Sequence, residues 1–93
     1  MFKVNEYFDG KVKSLAFKQQ NDAATIGVMT AGDYKFGTNC IEHMTLISGS
    51  MQVKLPSTSE WKDISINETF IVEANTSFSV KIAEDSAYLC VYK

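Results

Sequence analysis

The chain contains no arginine: all nine of its basic residues are lysines. Any anion it holds must be met by ammonium groups, hydroxyls and backbone N–H rather than by a bidentate guanidinium fork. A basic excess is missing too. The formal charge is −2, which argues against a nucleic-acid surface. Histidine occurs once, as His43, so a site built from several imidazoles is excluded. The two cysteines, Cys40 and Cys90, lack CxxC spacing and are too few for a disulfide framework; both read as reduced thiols. No apolar run approaches the roughly 20 residues that cross a bilayer as a helix. Nothing at the N-terminus resembles a signal peptide, and the expected location is the cytoplasm. No window keeps a 3.6-residue period, which speaks against helices.

What is present is core material. Hydrophobic residues make up 45% of the chain, with six Phe, four Tyr and one Trp, enough to rule out compositional disorder. At 93 residues the chain reads as one domain, 1–93, because a second core would not fit. Strand signals recur with turn residues between them, as in sandwiches and barrels. Lys11–Lys18 and Ala23–Thr30 read as a hairpin around Gln19-Gln20-Asn21-Asp22, and Tyr34-Lys35-Phe36 as a further strand. Residues 2–10 read as an arm or a helical turn ending at Asp9-Gly10. Thr69–Val72, Ser77–Ile82 and Ala87–Tyr92 close the series. Phe70-Ile71-Val72 and Ala87–Tyr92 are apolar on both strand faces, so something must cover the outer one. A second copy of the chain is the expected cover, giving a homodimer.

The stretch from Glu42 to Pro56 is predicted to be a central hairpin turning at Ser48-Gly49-Ser50. Strand alternation puts Glu42, Met44, Leu46 and Ser48 on one face, and Thr45 and Ile47 on the other. A carboxylate then points the same way as apolar residues. Either it is desolvated inside the fold and needs a partner or ligand, or the strand begins at Met44 and Glu42 lies in solvent. Cys90, within an apolar run, reads as a buried structural thiol.

Gly10-Lys11-Val12-Lys13-Ser14, Gly27-Val28-Met29, Gly32-Asp33-Tyr34-Lys35-Phe36, Glu42, Met44-Thr45-Leu46-Ile47-Ser48-Gly49, Leu55-Pro56, Trp61 and Tyr88-Leu89-Cys90 together resemble the pyrimidine/purine nucleoside phosphorylase family of small single-domain cupins. The resemblance spans nearly the whole chain. It implies an all-β fold of cupin type, a jelly-roll-like β-barrel, and phosphorolysis of diverse nucleosides to free base and pentose 1-phosphate. Against the general cupin pattern, Glu42 and Gly49 fit. Phe36 and Thr38 stand where a His pair belongs, Phe78 where a further His belongs, and Glu73 where a turn Pro belongs. A metal cage is therefore not expected, and no cofactor is required.

Cleaving an N-glycosidic bond develops positive charge on the sugar, which a carboxylate stabilises while accepting ribose hydroxyls. Glu42 is the candidate. Phosphate needs cations and donors near the anomeric carbon, and Lys11, Lys13 and Ser14 match the family there; a solvated lysine face on an edge strand reads equally well. Aromatic faces suit a base of either class. Tyr34, Phe36 and Phe78 are the candidates, with Thr38 and Thr45 adding hydroxyls. The expected partners are nucleosides and inorganic phosphate. A non-catalytic sugar- or nucleotide-binding protein and a metal-dependent enzyme remain the alternatives.

Overall fold

Ten strands run through residues 2–93, the part of the chain that the computed structural model describes, with no helix among them. Six form an antiparallel sheet in the order β1 (Lys3–Tyr7), β2 (Val12–Gln19), β3 (Asp22–Met29), β10 (Ser86–Tyr92), β5 (Glu42–Ser48), β8 (Thr69–Val72). The other four form a second sheet in the order β4 (Gly32–Gly37), β9 (Ser77–Ile82), β6 (Met51–Lys54), β7 (Lys62–Ile64). The chain is all-β, as its sequence predicts. No ladder joins the two sheets among the described residues, so the strands are not closed into a hydrogen-bonded barrel.

Alternation decides what lies between the sheets. Val12, Met29, Met44, Leu46, Phe70 and Val72 point inward from the six-stranded sheet, and Val53, Ile64, Phe78, Val80 and Ile82 from the four-stranded one. Each fully buried side chain of this kind contributes about 1.5–3 kcal/mol. The intervening residues Lys13, Lys35, Gln52 and Lys81 face solvent.

The hairpin predicted at Gln19–Asp22 forms, with β2 and β3 in register from Val12 opposite Met29 to Gln19 opposite Asp22. The arm predicted at the start is instead the edge strand β1. The central hairpin does not form. β5 pairs with β8 and β10, β6 with β7 and β9, and Ser48-Gly49-Ser50 carries the chain from one sheet to the other. Gly49 has φ +95°, and a Cβ there would strike the Ser86 hydroxyl. That hydroxyl accepts from the Ser50 amide at 3.1 Å and donates to the Glu84 carbonyl at 2.8 Å, so the crossing is clasped to the start of β10.

The outer face of the six-stranded sheet carries Val4, Leu15, Ile26 and Val28 side by side on adjacent strands, with Ile71 farther across; Val28 is 56% and Ile71 52% exposed. The apolar outer faces foreseen on β8 and β10 therefore belong to a broader apolar surface that this chain leaves open.

Candidate functional site

One glycine shapes the interior of the six-stranded sheet. Gly27 lies opposite Tyr88 in the β3–β10 ladder, and a Cβ there would fall 2.8 Å from the Tyr88 ring and 2.8 Å from the Lys13 carbonyl. The missing side chain lets the Tyr88 ring lie across β3 towards Ser14 on β2. Between the sheets beside this ring is a cavity of about 110 Å³. Tyr88, Cys90 and Tyr92 enter it from alternate positions of β10, Glu42 and Met44 from β5, and Ser14 and Met29 from β2 and β3. The four-stranded sheet supplies Phe36, Gly37 and Phe78, and the edge strand β1 supplies Tyr7.

Glu42 opens into this cavity, so its carboxyl is half-buried among apolar and hydroxyl-bearing neighbours rather than free in solvent. The Cys90 thiol donates to Glu42 Oε1 at 3.6 Å. No cationic side chain lines the cavity among the described residues. Burial raises the carboxyl above its ordinary value, offset in part by the thiol. Burial likewise pushes Tyr88 up to about 12, with the Ser14 hydroxyl opposing and Tyr7 and Glu42 adding to the rise. Cys90 and Tyr92 move upward for the same first reason, and the Tyr92 hydroxyl pairs with Thr25 Oγ1 at 3.1 Å. All three groups are neutral donors near pH 7. The site thus combines one reluctant acid, three phenols, a thiol and a hydroxyl with an aromatic wall.

That wall is continuous. Phe36 and Phe78 lie 5.7 Å apart between ring centres, Phe78 and Phe70 6.2 Å, and Phe36 and Tyr34 6.2 Å. Of the residues singled out from the sequence, Glu42, Ser14, Phe36 and Phe78 come together. The others sit elsewhere. Tyr34 is buried next to Phe36, and its hydroxyl donates to the Thr30 carbonyl at 2.8 Å. Thr38 Oγ1 donates to the Glu73 carbonyl at 2.7 Å. Thr45 is on the opposite face of β5 from Glu42, with its hydroxyl 2.7 Å from that of Thr69. Lys13 is on the outer face of β2, 4.0 Å from Glu6, and Lys11 precedes that strand; both border a separate outer depression with Asp85. His43 shares the outer face with Thr45. Among the described residues no three His, Cys, Asp or Glu side chains converge.

Sequence reasoning missed Tyr7, Met29, Tyr88, Cys90 and Tyr92 as site residues. A signal for three of them was present: residues 88, 90 and 92 alternate along one strand, and each ends in a polar atom.

A family model described as pyrimidine/purine nucleoside phosphorylase matches residues 2–92. A protein of that name from Pseudomonas aeruginosa is 53% identical over 93 residues, covering all of both chains. Another from Alcanivorax borkumensis is 55% identical over 92 residues, covering 99% of this chain and 98% of its own. Among solved structures, a protein of unknown function from Vibrio parahaemolyticus superposes with a TM-score of 0.95 at 42% identity, covering 100% of this chain and 99% of that one.

Proposed function

The chain belongs to the pyrimidine/purine nucleoside phosphorylase family, and on that basis we propose that it exchanges the base of purine and pyrimidine nucleosides for inorganic phosphate at the Glu42 cavity. The observation that carries this reading is a half-buried carboxyl, with no cationic side chain beside it in its cavity among the described residues, set against an aromatic wall. Its other neighbours are hydroxyl and thiol donors. A sugar ring presents the matching chemistry: hydroxyls to donate to the carboxylate, and positive charge at the anomeric carbon as the glycosidic bond lengthens.

In this reaction the C1′–N bond breaks with its electron pair on the base, and a phosphate oxygen forms the new bond to C1′. Glu42 in its ionised form accepts ribose hydroxyls and stabilises the developing cation. The cavity is small and shielded, so that stabilisation is stronger than in water. Ser14, with the neutral phenols Tyr88 and Tyr92, supplies hydrogen bonds to the phosphate oxygens; Lys11 and Lys13 add positive potential from outside. Protonation of the departing base falls to the phosphate or to water. Phe36 and Phe78 hold the nucleoside by their faces, which serves either base class.

We read the two-sheet fold as a cupin-type jelly roll of one domain, in which Phe36, Thr38 and Phe78 stand where the cupin pattern has metal ligands. We place the protein in the cytoplasm, where its thiols stay reduced. We propose a homodimer built on the exposed outer face of the six-stranded sheet, since so broad an apolar surface favours a partner. The direct test is chromatography of base release from uridine, guanosine and adenosine with and without phosphate. Release that requires phosphate and disappears in Glu42→Gln supports the reading. Stabilisation by nucleosides without any turnover would replace it with a binding protein.

A further inference from the structure

Among the described residues strand β1 has a single hydrogen-bonded neighbour, β2, and most of its side chains are exposed, yet its last residue reaches the cavity. The turn that follows explains how. Phe8, Asp9 and Gly10 take φ of +54°, +56° and +86° in succession, a conformation that L side chains rarely adopt. It is held by the Gly10 amide on the Tyr7 carbonyl at 3.2 Å and the Lys11 amide on the Phe8 carbonyl at 3.1 Å. The Phe8 ring completes the clasp. It packs 5.0 Å from Tyr34 and 5.6 Å from Phe36, edge-on to the latter, and so ties the edge of one sheet to the edge of the other. The turn thus fixes the end of β1, where strand alternation puts Tyr7 on the inner face opposite Val12 and at the cavity.

From this geometry we propose that Tyr7 is a base-stacking residue: its ring forms the outer wall of the nucleoside pocket, with Phe36 contributed from the other sheet. This rests on the nucleoside reading above and extends it to the part of the substrate that does not react. Tyr7 lines the cavity but is 48% exposed, so its ring has surface free to receive a ligand. The two ends of the cavity differ in character. Glu42 stands opposite Tyr92 in the ladder and next to Cys90, whereas Tyr7 stands opposite Val12, which in turn faces Met29. A pentose bound at the carboxyl end therefore leaves its base at the apolar end under Tyr7. Stacking there accepts one ring or two, because every base offers a π-face.

The test measures steady-state phosphorolysis of inosine and uridine, and equilibrium dialysis of both nucleosides and of ribose 1-phosphate, for the wild type, Tyr7→Ala, Tyr7→Leu and Tyr7→Phe. Tyr7→Ala and Tyr7→Leu are expected to raise nucleoside KM and Kd about tenfold or more, the change that losing about 1.4 kcal/mol of stacking produces. Turnover at saturation and affinity for ribose 1-phosphate stay at wild-type values, and Tyr7→Phe behaves as the wild type. Tyr7→Leu retains apolar bulk, so it carries the comparison if the alanine variant does not fold. Unchanged nucleoside KM and Kd in the leucine variant overturns the assignment, as does an equal loss of ribose 1-phosphate binding. A wild type that binds nucleosides through Tyr7 without cleaving them leaves stacking standing and removes phosphorolysis; one that neither binds nor cleaves removes both.

Discussion

At the scale of single residues, Glu42 is a carboxyl whose charge the fold disfavours. Its folded value lies above the ordinary 4.5. Below 4.5 the acid is neutral in both states and costs nothing; as pH rises through the raised value, ionisation increasingly penalises the folded state. Glu42→Gln is expected to raise the melting temperature at pH 7 and to lose that gain on acidification below about pH 4.5, as a calorimetric pH series will show. The same variant should lower turnover about 100-fold or more. Wild-type activity, carried by the ionised form, should fall on acidification at a higher pH than an ordinary carboxylate dictates. Gly27 makes the complementary prediction. Gly27→Ala drives a methyl into the Tyr88 ring and should cost about 1–3 kcal/mol, measured by urea denaturation. Period-two alternation alone makes Glu42 legible in the sequence, because it shares a face with Met44 and Leu46. The same alternation puts Thr45 on the other face of the strand, against a role in the pocket, but it says nothing of Tyr34, which spends its hydroxyl on Thr30.

Strands with clean alternation and short loops are the elements the sequence discloses best, as β2, β3 and β9 do. β7 is hard to see because it has three residues, and β1 because Asn5 and Glu6 interrupt its pattern. The link between β5 and β6 misleads for a different reason: two strands beside a tight glycine turn satisfy local rules for a hairpin, but partner choice is set by distant β8, β9 and β10. Gly49 consequently serves a crossing rather than a hairpin. Gly49→Ala combines strain at φ +95° with a clash against Ser86 and should cost at least about 1–3 kcal/mol, read as a fall in melting temperature. Ser86→Ala removes only the hydroxyl contact, leaving the Asp85 carbonyl and the Ser86 Cα each 2.7 Å from the added Cβ, and it strands the Ser50 amide, so the double variant should recover little of the loss.

For the molecule as a whole, the open apolar face predicts self-association. Val28→Glu puts a charge in the middle of that face without touching the cavity, and sedimentation should show a shift from dimer to monomer with the near-ultraviolet circular dichroism kept. The sequence points to a covered surface through β8 and β10, but its centre, on β2 and β3, shows only when the strands are laid side by side. That arrangement also governs how the protein is assembled. β10 occupies an interior place between β3 and β5, although nine strands precede it in the chain. Until it docks, β3 and β5 each expose an unsatisfied edge, Glu42 lacks the thiol beside it, and nothing joins the β2–β3 hairpin at one flank to the β5–β8 pair at the other. Such dependence on remote pairing makes for slow, all-or-none assembly. The nascent chain would stay vulnerable to sticking and proteolysis until its tenth strand slots home.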